Sequence, residues 1–364
     1  MEQSLSEGKA GRSAKWVDKC HFGDSRDTMR AMIADGVKVQ AIVTSPPYWG
    51  LRDYGVDGQI GHEPTLREFI DTLVDVFELC RELLADDGTA WVNMGDSYNA
   101  GTSKSSGASK TADVGGWTNR SGDAAGARRV NAAELKVKDL CGQPWRLAFA
   151  LQDAGWYLRQ EIIWHKPNPM PESVRDRCTK AHESLFLLAK SERYYFDADA
   201  IKEPRTQDED SSTFRGGCYV AGEIDNAQMG KRRVPGNKSH RGTIAAETDE
   251  HHRTKAGLVA FAERERAADP NDLGARNKRS VWTIATQPYS AAHFATFPEA
   301  LVEPCVLAGS PVGGIVFDPF FGSGTSGQVA SRLGRHFIGC ELNPDYEPLQ
   351  RDRLRQPGLQ LEIA

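Results

Sequence analysis

"GGIVFDPFFGSGTSGQVASRLGRHFIGCELNPDYEPLQRDRL", residues 313–354, reads as a strand, a glycine-rich turn, a helix, a second strand with an acidic end, and a further helix. That succession is a βαβ unit and predicts an α/β domain on a mostly parallel sheet. Gly322, Gly324 and Gly327 follow the first strand and open the helix, where the missing Cβ atoms let a ligand approach the backbone closely. Glu341, after the next strand, is placed to accept from ribose hydroxyls as the acidic residue of dinucleotide folds does. No Gly-Lys-Ser/Thr follows the glycines, which disfavours an ATP-cleaving loop. The glycines do fit GxGxxG literally, so on this turn alone a nicotinamide or flavin dinucleotide stays open, as does a tight turn with no ligand at all.

Upstream, "AIVTSPPYWGLRDYG", residues 41–55, begins as a buried strand and stops at two consecutive prolines. Proline cannot donate to a ladder, so the strand ends near Thr44 and passes into a stiff polar-aromatic loop at its C-terminal end. Before it, "VDKCHFGDSRDTMRAM" predicts a short strand, a turn at Gly23 and Asp24, and a helix that Asp24 is placed to cap. After it, the apolar spacing from Leu66 to Leu84 predicts an amphipathic helix with Thr65 as N-cap and Gly88 beyond its end. "TAWVNMGDSY" then reads as a buried strand. "PWRLAFALQDAGWYLRQEIIWHKPNP" gives a helix from Pro144, a stop at Gly155 and a strand, and "HESLFLLAKSERYYF" gives another strand and a turn.

Two stretches lack this order. Residues 99–133 are rich in Gly, Ser and Ala and read as a mobile loop, and residues 201–280 are polar with both charge signs and only short apolar islands. The expected organisation is a disordered lead over 1–14, one half-domain over 15–200, an inserted recognition segment over 201–280, and a second half of the same domain over 281–364. With 364 residues and a net charge of −5, the chain as a whole is no polybasic binder, so a nucleic-acid partner must be held by local patches. Seven scattered cysteines without a CxxC pair indicate neither a disulfide framework nor a cysteine zinc site, and no metal is expected. A polar N-terminus and the lack of an apolar run of about 18 residues argue against export or membrane spanning and for a cytoplasmic protein.

Taken together, "DPFFGSGT" and "TSPPY" make the sequence resemble the amino-methylating DNA methyltransferases, which methylate cytosine N4 or adenine N6. "IIWHKPNP", "HESLFLLAK", "HFATFPEALVEP" and "FIGCELNPDY" extend the resemblance over most of the chain outside its two polar segments. The "SPPY" loop precedes the cofactor turn, which looks like the β arrangement of that family; protein-glutamine and many RNA methyltransferases have the opposite order. The resemblance implies a doubly wound, mostly parallel Rossmann-like sheet with an inserted target-recognition segment, S-adenosyl-L-methionine as cofactor, and double-stranded DNA as substrate.

It also implies roles for residues. Ser45, Pro46, Pro47 and Tyr48 would form the catalytic loop: Ser45 Oγ and the Pro46 carbonyl accept the two amine hydrogens, the prolines hold them, and Tyr48 stacks on the flipped base. Asp24, Asp318, Phe320, Phe321, Gly322, Gly324, Thr325, Glu341 and Asn343 would hold the cofactor, with Asp318 near the methionine amino group; a turn cap at Asp318 and a core position for the phenylalanines are the plainer readings. Lys231, Arg232, Arg233, Lys238 and Arg241, with Arg128 and Arg129, are expected phosphate contacts. Trp49 either shields the flipped base or packs. Serine at position 45, where many adenine enzymes carry Asp or Asn, places cytosine N4 ahead of adenine N6. A homodimer and a cognate restriction endonuclease are the partners such relatives suggest, and a DNA-binding module without turnover is the non-enzymatic alternative.

Overall fold

The computed structural model describes residues 14–50, 56–99, 134–204, 275–286 and 298–355, with the backbone of two short strands at 214–215 and 218–219. The expected lead, the 99–133 loop beyond Asn99, Arg128, Arg129 and the basic run from Lys231 to Arg241 lie outside the described residues.

The strands are β1 (Lys19–Phe22), β2 (Val39–Thr44), β3 (Leu84–Met94), β4 (Tyr157–His165), β5 (His182–Ala189), β6 (Glu203–Pro204), β7 (Phe214–Arg215), β8 (Cys218–Tyr219), β9 (Ala275–Arg276), β10 (Val281–Thr283), β11 (Ile315–Asp318) and β12 (His336–Glu341). The helices are α1 (Ser25–Ala34), α2 (Leu66–Leu83), α3 (Gln143–Asp153), α4 (Glu299–Gly309), α5 (Thr325–Arg332) and α6 (Glu347–Leu354). No helix among the described residues is long and apolar enough to cross a membrane.

The chain divides into two units, one of Met1–Ile201 with Arg279–Ala364 and one of Lys202–Lys278. In the first, eight strands form one sheet in the order β1-β12-β11-β2-β3-β5-β4-β10. Every neighbouring pair is parallel except the two made by β5, which runs against both β3 and β4. In the second, β6 pairs antiparallel with β9, reinforced by Arg276 Nε donating to Glu203 Oε1 at 2.9 Å, and β7 pairs with β8.

Side chains alternate across the central strands, as a strand's two-residue period requires. Ile42, Ala90, Val92, Phe186, Leu188 and Phe317 enter one core beneath α1, α2 and α3. Val43, Trp91, Leu185, Leu187 and Val316 enter the other, beneath α4 and α5. Both faces are covered, hence the near-continuous apolar runs of these strands.

Helix α2 begins as the sequence predicts: Thr65 Oγ1 accepts from Glu68 N and the Glu68 carboxylate accepts from Thr65 N, a reciprocal capping box. Its end differs from the expectation. The helix stops at Leu83 and β3 starts at once, so Gly88 lies inside the strand rather than past a helix. There the pairing of β2 with β3 shifts register, and a Cβ on Gly88 would come 2.9 Å from the Gln40 carbonyl. Glycine serves the close approach of two strands.

The switch point of the sheet fixes where a site can lie. From β11 the chain crosses through α5 to β12 on one side, and from β2 it crosses through α2 to β3 on the other; β11 and β2 are adjacent and parallel. In open α/β sheets ligands bind outside the carboxyl ends of the strands at this reversal. Asp318 ends β11 and Thr44 ends β2, so the glycine-rich turn and the Ser-Pro-Pro-Tyr loop leave the sheet side by side.

Packing behind that turn is tight. Phe321 is buried and stacked on Phe337, with ring centroids 5.6 Å apart and planes within 7°. A Cβ on Gly339 would overlap the Phe321 ring, and one on Gly327 would come 2.6 Å from its Cζ. Gly339→Ala should therefore lower stability by about 1–3 kcal/mol, the usual cost of overpacking, readable as an earlier urea midpoint; an unchanged midpoint would show that the ring has room to move.

Candidate functional site

The turn after β11 is built around one carboxylate. Asp318 is 1% exposed. Its Oδ1 accepts from Thr44 Oγ1 at 2.6 Å and from Phe320 N at 3.0 Å, and its Oδ2 accepts from Ser326 Oγ at 2.7 Å. Burial lifts its pKa to about 6 although all three hydrogen bonds pull the other way. The side chain thus ties β11 to β2, to its own turn and to the start of α5. This is the turn-capping geometry, extended across the sheet.

Gly322 and Gly324 carry φ of +50° and +87°, left-handed values that L side chains rarely adopt, and Gly324 is the N-cap of α5. Gly322 N donates to Glu341 Oε2 at 2.7 Å and Asn343 N donates to Glu341 Oε1 at 2.9 Å, so the acid at the end of β12 joins two loops. Each carboxylate oxygen accepts more than one hydrogen, which leaves Glu341 capacity for a ligand; burial raises its pKa. Asn343 Oδ1 accepts from Asp345 N and caps the next turn, Gln350 Nε2 donates to Gly322 O at 2.7 Å, and Arg353 donates to Thr325 Oγ1.

Two of the cofactor candidates occupy the plainer positions that the sequence also allowed. Phe321 does not wall a cavity: its ring fills the space above Gly327 and Gly339 within the core, and only Phe320 keeps partial exposure. Asp24 is engaged otherwise, its Oδ1 capping α1 by accepting from Arg26 N at 2.8 Å while its carboxylate pairs with the Arg26 guanidinium at 2.6 Å. That hydrogen-bonded pair holds its pKa below the usual carboxylate range.

The loop after β2 is stapled from several elements. Ser45 is partly exposed, and its Oγ donates to Asn93 Oδ1 at 3.4 Å, while Asn93 Nδ2 donates to the Ser184 carbonyl at 3.3 Å. Tyr48 OH donates to Glu183 Oε2 at 3.1 Å, and Glu183 is paired in turn with Lys166, whose ammonium lies 4.2 Å from the Trp164 ring centroid. Burial, with the Glu183 charge, pushes the Tyr48 phenol well above its ordinary value, so it stays protonated. A Cβ on Gly95 would come 2.8 Å from the Tyr48 ring. Trp49 packs rather than standing free: it is 4% exposed, with its N bonded to Gln143 Oε1 and its indole N–H to the Glu63 carbonyl.

Asn93, Gly95, Lys166 and Glu183 had no role in the sequence reading. "HESLFLLAK" and "IIWHKPNP" contained two of them, but nothing local says that Glu183 meets a tyrosine 135 residues earlier.

The glycine turn also suits a polar cofactor. Ser323 Oγ is buried there with no hydrogen-bond partner among the described residues, and a buried hydroxyl left unpaired is costly unless a ligand completes it. Beside it, Phe320, Glu341 and Asn343 are partly open. An aromatic contact after β11, a hydroxyl acceptor at the end of β12 and an unpaired hydroxyl between them fit the parts of S-adenosylmethionine.

A profile of the N6/N4 family, described as DNA methylase, matches residues 39–351. The chain is 41% identical over 340 residues to the type II methyltransferase M.SmaI of Serratia marcescens, covering 92% of this chain and 90% of that one. It is 40% identical over 334 residues to the type II methyltransferase M.Cfr9I of Citrobacter freundii, covering 92% and 86%. Among solved structures, the PvuII DNA methyltransferase, titled cytosine-N4-specific, aligns over 95% of this chain and 88% of its own with a TM-score of 0.53 and 16% identity, a likeness of fold.

Proposed function

Since this chain belongs to the N6/N4 family of DNA methylases, whose methyl donor is S-adenosylmethionine, we propose that it methylates the exocyclic amine of a base flipped out of duplex DNA, with cytosine N4 as the target. One observation carries the reading. The 2.6 Å hydrogen bond from Thr44 to Asp318 joins the ends of the two strands that bear the motifs, which supports a donor site and an acceptor site side by side at that end of the sheet.

When bound, S-adenosylmethionine supplies a methyl group on a cationic sulfur. The protein's task is to make the amine a nucleophile, because its lone pair is delocalised into the ring. Ser45 Oγ, 3.4 Å from Asn93 Oδ1, has two lone pairs with which to accept an amine hydrogen. Among the described residues no hydrogen bond occupies the Pro46 carbonyl, which accepts the second. With both hydrogens held, the nitrogen becomes pyramidal and its electron pair points along the line of attack. Tyr48, fixed by Glu183, offers its ring as the stacking partner that offsets part of the unstacking cost. The amine nitrogen gives up one of the hydrogens held by Ser45 and the Pro46 carbonyl, and that proton passes to solvent.

Asp318 and Glu341 hold the turn in the shape that admits the cofactor, with Glu341 on the ribose and Phe320 beside the adenine. The basic residues Lys231, Arg232, Arg233, Lys238, Arg241, Arg128 and Arg129 serve the DNA phosphates in this reading. The type II methyltransferases it resembles support a place in restriction–modification, beside an endonuclease that cuts the same sequence when unmethylated.

Nucleoside mass spectrometry of DNA from cells expressing the protein tests the target. N4-methylcytosine is the expected product; N6-methyladenine in its place would move the target to adenine, and neither base modified would favour a binding module.

A further inference from the structure

The segment from Lys166 to Ala181, "KPNPMPESVRDRCTKA", joins β4 to β5 on the crevice side of the sheet. Its stem is closed by the backbone, Lys166 N donating to Ala181 O at 2.7 Å. Both ends are tied to the catalytic loop's supports: Lys166 pairs with Glu183, the partner of Tyr48, and Lys180 Nζ donates to the Asp96 carbonyl at 2.9 Å. Asn168 exchanges hydrogen bonds with the backbone of Thr286 at 2.9 and 3.2 Å. Inside the loop, the Glu172 carboxylate accepts from Arg177 at 2.6 Å and from Lys180 N at 3.2 Å. Pro167, Pro169 and Pro171 stiffen what remains.

On this braced loop Met170 stands 86% exposed between two prolines, more than any other large apolar side chain among the described residues. A single exposed apolar residue is ordinary on a surface; one held by a rigid mount that shares Glu183 with Tyr48 is placed to meet something. Of the loop's four cations, Lys166 is paired with Glu183, Arg177 with Glu172, and Lys180 is tied to the Asp96 carbonyl. Arg175 is exposed and makes no ion pair among the described residues. An apolar tip with this arginine on the same loop fits the interior and the backbone of a duplex.

We infer that this loop grips the DNA beside the target and that Met170 inserts into the base stack, filling the gap that the flipped base leaves. Apolar wedges of this kind, methionine among them, unstack base steps in DNA-binding proteins. The inference rests on the base-flipping reading above. No bond is made or broken; Met170 stabilises the extrahelical state.

The test compares the parent protein, Met170→Ala and Met170→Leu on two synthetic duplexes that contain the methylated sequence found by sequencing DNA from expressing cells. One duplex is fully paired; in the other the base opposite the target is missing, so the target is already unpaired. On the paired duplex Met170→Ala should lose roughly 10-fold or more in kcat/KM, and Met170→Leu should regain most of it. On the abasic-partner duplex all three should agree within about twofold, because opening the pair costs little there. Equal rates for Met170→Ala and parent on the paired duplex would overturn the wedge, and so would an equal loss on both duplexes. If the parent methylates neither duplex, the base-flipping reading itself fails and the wedge goes with it.

Discussion

Ser45→Ala should lower kcat by about 10²-fold or more while leaving the affinity for S-adenosylmethionine within about twofold of the parent. The rate loss follows from where the hydroxyl acts: it accepts a hydrogen from an amine whose geometry changes only as attack begins, so its contribution belongs to the transition state. Cofactor affinity is spared because Ser45 bonds to Asn93 on β3, whereas the glycine turn is held by Asp318 and Glu341. Single-turnover methylation of DNA gives the rate and calorimetry gives the affinity. Unaltered methyl transfer would remove Ser45 from the chemistry, and a joint fall in rate and cofactor affinity would make it a structural residue of the crevice.

The second large effect is expected at Asp318. Asp318→Ala strands two buried hydroxyls, Thr44 and Ser326, and the Phe320 N–H. Each unpaired buried group costs about 1–3 kcal/mol, so a loss of roughly 3 kcal/mol or more in folding stability should accompany loss of measurable cofactor binding. Asp318→Asn keeps the shape and removes the charge. The parent carboxyl has a pKa of about 6 when folded and 3.8 as its ordinary value, so between these pH values the folded protein holds a proton that the unfolded chain has lost. Stability from this group is therefore greatest at low pH and declines as pH rises through that window. Relative to Asp318→Asn, the parent should gain stability as pH falls from 7 to 4, by at most about 3 kcal/mol. Paired urea titrations measure the difference, and a gap that does not change with pH would show that burial does not perturb this acid.

What the sequence discloses is local. Thr65 and Glu68 form their capping box three residues apart, and the prolines after Ser45 end β2 without help from elsewhere. Gly88 misleads for the same reason: a glycine after an amphipathic run signals a helix end, and only the pairing of β3 with β2 reveals the strand. At the site, Asp318 is visible as an acid at a strand end, but its partner Thr44 lies 274 residues away. The paired phenylalanines show the limit most clearly. Phe320 and Phe321 are equivalent in sequence, and the glycines that decide which one is buried lie on α5 and β12. Glu183, Lys166 and Asn93 support the Ser-Pro-Pro-Tyr loop from three different strand ends, an arrangement that exists only after the sheet has formed.

The methyl donor and the Ser-Pro-Pro-Tyr loop should face each other across the junction of β11 and β2. A crystal structure with S-adenosylhomocysteine bound would test it most directly. The sulfur should lie beside the Gly322–Gly324 turn and open toward Ser45, with room between them for a single base. Cofactor bound away from that turn, or a sulfur walled off from Ser45 by the protein, would contradict it.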